Sequence, residues 1–246
     1  DVAALDRALA AMVAEQKRVL LFLNDPCHNP TGYSMRPEEW RAVVECLLAR
    51  AADDDAPITL LVDVAYFAYG AEDPRAFLKE LRPLLGRVGL LFAWSASKTF
   101  THYGLRVGAL VALVPDPADR AATDAALCYS CRGTWSNISR GGMSAITRLL
   151  TDPDLARATD RERDELKALL GARVATFNEI APRHGLRYPR YEGGFFVTVF
   201  ADDARERALR MKDKGVFVVP QKGALRVALC SVAELDVARL VESLSG

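Results

Sequence analysis

Along the first part of the chain, apolar residues fall into short continuous runs separated by stretches with a helical period. Arg18 to Leu23 (RVLLFL) has the length and content of a buried strand and ends in the loop Asn24-Asp25-Pro26. Pro37 suits the first turn of a helix. Trp40, Val43, Val44, Leu47 and Leu48 then recur at i, i+3, i+4, i+7 and i+8, as one buried helix face requires. The run Asp53-Asp54-Asp55 is expected to end this helix, and Ile58 to Val62 reads as the next strand. A helix is predicted around Arg75 to Leu85, a third strand over Gly89 to Trp94 and a fourth over Leu105 to Val114. Continuous apolar strands separated by helices predict an α/β fold with a mainly parallel sheet covered on both faces.

Beyond Pro115 the pattern changes. Thr151-Asp-Pro-Asp154 combines a capping residue, a first-turn proline and an early acid, so a long helix should run from there to Ile180. Its charged run Asp160 to Lys167 (DRERDELK) reads as a solvated face. Strand patterns follow over Phe195 to Phe200, Val216 to Val219 and Ala224 to Leu229, with a helix over Asp203 to Asp213 between the first two. Ser231-Val-Ala-Glu234 has the form of a capping box for a last helix whose buried face holds Val237, Leu240, Val241 and Leu244. The expected organisation is a larger α/β domain over residues 1–150, a bridging helix over 151–181 and a smaller α+β domain over 182–246.

Composition narrows the function. The 246 residues are 50% apolar, and 32 basic side chains balance 32 acidic ones. That balance argues against a phosphate-neutralising surface and hence against nucleic acid as the main partner. No apolar run approaches the ~20 residues that span a bilayer, so no membrane role is expected. Five scattered cysteines, an odd number, suggest reduced thiols in a cytoplasm-like compartment. Cys128-Tyr-Ser-Cys131 has CxxC spacing but no second ligand pair, and it lies in a helical stretch, so no metal site is expected.

Three polar clusters follow the predicted strands, where open α/β sheets place their ligands. The first is Asn24-Asp-Pro-Cys-His-Asn29-Pro30-Thr31-Gly32, the second Asp63-Val-Ala-Tyr66. The third is Ser95-Ala-Ser97-Lys98, continuing to Tyr103-Gly104-Leu-Arg106-Val-Gly108. Asn-Pro-x-Gly alone is an ordinary turn, and Asp-x-x-Tyr alone carries no information. The seven fixed positions of the third cluster arise by chance on the order of 10⁻⁸ per starting position, at average residue usage. That cluster decides the reading.

Together and in this order the clusters resemble the class I/II aminotransferases of the aspartate and aromatic aminotransferase type, pyridoxal-phosphate (PLP) enzymes of fold type I. The resemblance extends along the chain through Arg132-Gly-Thr-Trp135-Ser-Asn137, Gly193-Gly194-Phe195 and Ala224-Leu-Arg226-Val. It implies a PLP cofactor, with Lys98 as the amine that holds its aldehyde as an internal Schiff base and afterwards moves the substrate α-proton. A lysine amine has an ordinary pKa of about 10.4, so such chemistry needs surroundings that free it of its proton. The resemblance likewise implies Asp63 at the pyridine nitrogen, Tyr66 and Asn29 at the phenolate oxygen, and Ser95 and Arg106 on the phosphate. Arg226 is implied as the clamp on the substrate α-carboxylate, and Arg132 as a group reaching across a homodimer interface toward the substrate side chain. Asn29 borders the substrate as well. The implied reaction is transamination between an aromatic or acidic amino acid and a 2-oxo acid.

Plainer readings stand beside these. Asp63 could cap a turn, while Arg106 and Arg226 could be structural ion-pair partners. Arg132 could be a surface charge, because Ile138-Ser139 replaces the family's usual Pro-Pro after Ser-Asn. His28 is expected to orient Asn29 or Asp63, whereas His102 and His184 read as bystanders. Ser95-Ala-Ser97-Lys98 is also literally Ser-x-x-Lys, the nucleophile motif of β-lactamases, but the Ser-Asp-Asn and Lys-Thr-Gly that must follow are absent. Within the resemblance, a lyase or decarboxylase and a non-catalytic PLP-binding effector module remain open. The family's Gly-rich phosphate loop, ring-stacking aromatic and subunit-pairing arm have no counterpart in residues 1–23. The expectation is that this chain corresponds to the C-terminal part of such an enzyme, and that alone it binds PLP weakly and exposes apolar surface and a strand edge.

Overall fold

The computed structural model describes residues 1–53, 56–70 and 73–246, with Asp53 as backbone alone. The chain divides into two compact units that interleave in sequence. Unit 1 comprises Asp1–Asn24, Met35–Ala65 and Arg75–Ala156; unit 2 comprises Asp25–Ser34, Tyr66–Pro74 and Arg157–Gly246.

Unit 1 is built on a four-stranded sheet in the order β1 (Val19–Asn24), β2 (Ile58–Asp63), β3 (Gly89–Ser95) and β4 (Gly108–Leu113). The first three strands are parallel, with Asn24 opposite Asp63 and Asp63 opposite Ala93. β4 runs antiparallel to β3, so that Gly108 lies opposite Ser95. The central strands bury Leu60, Val62, Leu90 and Phe92, as a mainly parallel sheet requires. Helix α1 (Val2–Gln16), which the hydrophobic pattern did not single out, is capped by the Asp1 carboxylate and turns Leu9 and Val13 inward. Helix α2 (Pro37–Asp53) buries Trp40, Val43, Val44 and Leu47, the face its periodicity predicts. Asp54 and Asp55, read as its stop, lie outside the described residues. Arg50 of α2 grips Asp6 of α1 through two hydrogen bonds of 2.6 and 2.8 Å, and that guanidinium holds the Asp6 carboxyl below the usual carboxylate range.

Three expectations in this unit need correction. The segment around Arg75 to Leu85 is only a single α-turn, α3 (Leu78–Leu81), followed by a tighter 3₁₀ turn over Arg82–Leu84. Pro83 has no N–H to continue the i→i−4 ladder, and the Arg82 N–H instead bonds the Lys79 carbonyl. The fourth strand starts at Gly108 rather than Leu105, because Tyr103–Leu105 forms a 3₁₀ turn and Arg106 adopts a left-handed backbone, φ 55°. The outer strands are also not covered on both faces: Leu20 and Phe22 of β1 are 51% and 62% exposed, and Leu110, Val111 and Leu113 of β4 are exposed too. Lys98 lies on the short helix α4 (Ala96–Thr99), and α5 (Pro117–Thr134) and α6 (Arg140–Thr151) complete the elements of unit 1.

Helix α7 (Pro153–Ile180) is capped by the Asp152 carboxylate, which accepts from the N–H groups of Asp154 and Leu155, and most of its length belongs to unit 2. Unit 2 holds an antiparallel sheet in the order β5 (Phe196–Phe200), β7 (Ala224–Ala228) and β6 (Val219–Gln221). The Val216 to Val219 strand is displaced to Val219–Gln221. Lys222-Gly223, with Gly223 at φ 72°, makes a two-residue hairpin turn that puts Gln221 opposite Ala224 and so fixes the register. Val216 and Val218 pack against the core instead. The helix predicted over Asp203 to Asp213 is α8 (Ala204–Asp213). Val197, Val199, Leu225 and Val227 interlock with Phe177 of α7 and with the fully buried Val237, Val241 and Leu244 of α9 (Val237–Ser245). The predicted capping box does not form, since the Ser231 hydroxyl donates back to the Ala228 carbonyl and a 3₁₀ turn over Glu234–Asp236 leads into α9. Among the described residues no helix is long and apolar enough to cross a membrane.

The unit 2 core sets a stability expectation. Leu225→Ala should cost about 2–5 kcal/mol, because Leu225 is fully enclosed and its neighbours cannot collapse into the void. Leu209→Ala, at a 58% exposed position of α8, should stay within about 0.5 kcal/mol. Urea denaturation of the two variants checks the contrast.

Candidate active site

The register of the unit 1 sheet gathers four of the sequence-predicted residues at one end. Asp63 is the last residue of β2 and Ser95 the last of β3, and parallel neighbours about 4.8 Å apart end on the same side. The antiparallel partner β4 starts there, with Gly108 opposite Ser95. Lys98 follows Ser95 on α4, and Arg106 precedes β4. The Ala96 N–H bonds the Val107 carbonyl at 3.1 Å, closing this corner of backbone.

Polar and ring contacts orient the side chains of the corner. One Asp63 carboxylate oxygen accepts from the Ala65 N–H at 3.0 Å, and the Asn24 amide donates to the Asp63 backbone carbonyl at 2.9 Å. The Arg106 guanidinium donates to the Tyr103 carbonyl at 2.9 Å and to the Ser97 hydroxyl at 3.4 Å. Tyr103, a residue the motif counted without giving it a task, carries both cations on its ring: Lys98 Nζ lies 4.6 Å and the Arg106 guanidinium carbon 4.9 Å from its centroid. Beneath them Ala96, Phe100, Val107 and Ile146 form a small buried cluster with Trp94 against it. An amine, a carboxylate, a guanidinium and hydroxyls at one sheet end are the donor set that a phosphorylated pyridine aldehyde requires, so these residues fit such a group.

Unit 2 holds Asn29, Tyr66 and Arg226. The Asn29 amide approaches the hydroxyl of the buried Tyr66 at 3.4 Å. The Tyr66 ring meets Phe195 and Phe196 edge-on, and the Arg226 guanidinium lies 4.9 Å from the centre of the Phe196 ring. The loop carrying Asn29 is tightly tied. The His28 N–H bonds the Tyr33 carbonyl, the Gly32 N–H bonds the His28 carbonyl, and the Cys27 N–H bonds the Ser34 hydroxyl. The His28 ring pairs with the Thr31 hydroxyl at 2.7 Å, which makes it a clasp of the loop, and burial lowers its pKa. Arg190, absent from the sequence-level candidates, lays its guanidinium on the Tyr33 ring and donates to the Ser34 carbonyl at 2.6 Å. Gly32 (φ 72°) abuts the Phe196 carbonyl and the Tyr191 ring, leaving no space for a Cβ.

Arg132 belongs to unit 1. It is exposed near the end of α5 and donates to the Ser136 hydroxyl at 2.8 Å. Cys128 and Cys131 lie on the same helix as free thiols.

Comparison with known proteins decides the family. The model of "Aminotransferase class I and II" matches residues 1–244. The chain belongs to that family. An aspartate aminotransferase of Pseudomonas aeruginosa is 28% identical over 229 residues, 89% of this chain and 54% of the relative. Among solved structures, an aminotransferase from Anaerococcus prevotii superposes with a TM-score of 0.93 at 30% identity, covering 100% of this chain and 60% of that one. An aromatic-amino-acid aminotransferase of Burkholderia pseudomallei, covalently bound to pyridoxal phosphate, has the same fold, with a TM-score of 0.79 at 21% identity over 100% of this chain and 61% of its own. This aminotransferase-family chain spans 54% to 58% of the length of the first curated relatives it matches. The α/β architecture is thus that of the PLP fold type I transferases.

Two outcomes test the geometry of the Asn29 loop. Gly32→Ala should destabilise the protein by about 2 kcal/mol or more, whereas Gly86→Ala, with the same sign of φ and open space around it, should cost only the ~1–2 kcal/mol of a left-handed alanine. Thermal melts of the two variants separate clash from backbone strain. Cys27 is the second test: burial pushes its thiol up to about 12, so the thiolate fraction at pH 8 is on the order of 10⁻⁴. Timed alkylation with peptide mapping should find the exposed Cys128 modified first and Cys27 unmodified until the protein unfolds.

Proposed function

We propose that the protein is a PLP-dependent aminotransferase that exchanges an amino group between an aromatic or acidic amino acid and a 2-oxo acid. The observation that carries this reading is the single sheet end that collects Asp63, Ser95, Lys98 and Arg106. PLP, when bound, supplies an electron-accepting ring that stabilises the charge left when a substrate loses its α-proton.

The chain's own residues do the rest. Lys98 Nζ would hold the cofactor by its aldehyde carbon and, as a free amine, would take up the proton of the substrate α-carbon, a role worth about 10²–10⁴ in rate. Asp63 keeps a proton on the ring nitrogen by placing a carboxylate beside it. Arg106 and Ser95 bind the phosphate, Arg106 through a planar fork that a lysine lacks. Asn29 and Tyr66, which already approach each other, donate to the phenolate oxygen. Arg226 binds the α-carboxylate with the same kind of fork, and the Phe196 ring steadies it. Arg132 serves the side-chain end of the substrate across the interface of a homodimer. The relatives' names, aspartate and aromatic-amino-acid aminotransferase, support the two substrate classes. Five free thiols favour a cytoplasmic setting.

The test is spectroscopic first. Added PLP should produce a near-ultraviolet or visible band, and borohydride should fix the cofactor to Lys98, located by peptide mass. Aromatic and acidic amino acids should convert that band to the pyridoxamine form, and 2-oxo acids should restore it. A lyase or decarboxylase would release product without this conversion, and an effector module would bind without turnover. Lys98→Ala should keep its circular dichroism and lose at least ~10² in transamination rate. Asp63→Ala should bind PLP yet remove the α-proton at least ~10²-fold more slowly, and wild-type rates in either variant would refute the assignment.

A further inference from the structure

The two faces of the unit 2 sheet differ. One turns Val197, Val199, Leu225 and Val227 into the core, and by strand alternation the other carries Phe196, Thr198 and Arg226. Thr198 stands directly opposite Arg226 in the β5–β7 ladder. It is 5% exposed, and a hydroxyl so buried is stable only with a partner. That partner is the carbonyl of Pro30, which accepts from Thr198 Oγ1 at 2.9 Å. Pro30 directly follows Asn29. Two positions further on, Gly32 abuts the carbonyl of Phe196, also on β5. One strand therefore grips the Asn29 loop at two points while pairing with the strand that bears Arg226.

We infer that Thr198 is a positioning residue that fixes Asn29 in register with Arg226, through its hydrogen bond to the Pro30 carbonyl on one side and its ladder position on the other. The inference rests on the proposed function, in which Asn29 donates to the cofactor's phenolate oxygen and Arg226 binds the substrate carboxylate. A hydrogen bond donated to the phenolate favours its unprotonated form and lowers the proton affinity of the bound chromophore. A loosened Asn29 weakens that donation, so the chromophore takes up its proton at higher pH. A threonine serving the fold alone would change the melting temperature and leave this titration in place.

The experiment is a pH titration of the absorbance of the PLP-loaded resting protein, with KM for the amino acid substrate measured alongside. In Thr198→Val, which keeps the shape and removes the hydroxyl, the proton affinity of the chromophore should rise about threefold or more, the worth of one ordinary hydrogen bond. KM should rise by a similar factor. Thr198→Ser should restore both values, and in an Asn29→Ala background the valine should cause no further change in the titration. A Thr198→Val protein that titrates as wild type, a serine variant that behaves like the valine one, or a valine effect that persists without Asn29 would each overturn the inference. If Thr198→Val does not accumulate as folded protein, Thr198→Cys, a weaker donor of similar size, is read by the same criteria. A wild-type protein that forms no chromophore with PLP would instead remove the proposed function, and the inference with it.

Discussion

The register of one parallel sheet governs what unit 1 can do. With β2 and β3 parallel and in step, a carboxylate at the end of one strand and a serine–lysine turn at the end of the next must share one rim. The antiparallel β4 brings the chain back to that rim, so that Arg106 arrives beside Ser97. A slip of β2 by one residue against β3 would turn Asp63 to the opposite face and take Leu60 and Val62 out of the layer that Leu90 and Phe92 face. Burial of those side chains therefore fixes the register, and the same apolar contacts that make the sheet hold Asp63 and Ser95 at one end of it.

Unit 2 uses a related device. Its sheet is antiparallel, with one face in the core and the other carrying Thr198 and Arg226 beneath the Asn29 loop. The Asn29 loop has almost no regular structure of its own. Its order comes from a clasp between His28 and Thr31, from Arg190 across Tyr33 and Ser34, and from a glycine that admits the Phe196 carbonyl. Such a loop is rigid only as part of the unit, which is the usual way for a functional loop to gain precision.

Sequence periodicity revealed what depends on local order. Trp40, Val43, Val44 and Leu47 on α2, and Val237, Leu240, Val241 and Leu244 on α9, are the buried faces their spacing predicts. That Asp63, Ser95, Lys98 and Arg106 lie at one sheet end was legible because polar clusters after apolar strands mark such ends, while the choice of these four within the clusters came from the family resemblance. Features set by distant or fine interactions were not. Pro83 shortens a helix that its neighbours favour, and the Lys222-Gly223 turn shifts β6 although Val216 to Val219 has the better strand composition. Ser231 has a capping sequence, yet its hydroxyl finds the Ala228 carbonyl nearer. Thr198 reads as one more β-branched strand residue, because the carbonyl that gives it meaning lies 168 positions away.

Arg106 is where local preference and site geometry conflict most plainly. A non-glycine residue at φ 55° costs about 1–2 kcal/mol against the extended backbone that the flanking apolar residues favour. Glycine at this position would remove that cost, and Gly104 stands only two residues earlier. The arginine is held there by what the left-handed turn achieves: it ends the 3₁₀ segment, returns the guanidinium to the Tyr103 carbonyl, ring and the Ser97 hydroxyl, and lets Val107 enter the small core under α4. An extended Arg106 would begin β4 two residues early and carry its charge along the strand, away from Ser97. The strain is thus local and small, and it is sustained by contacts that all belong to the rim where Lys98 and Asp63 sit.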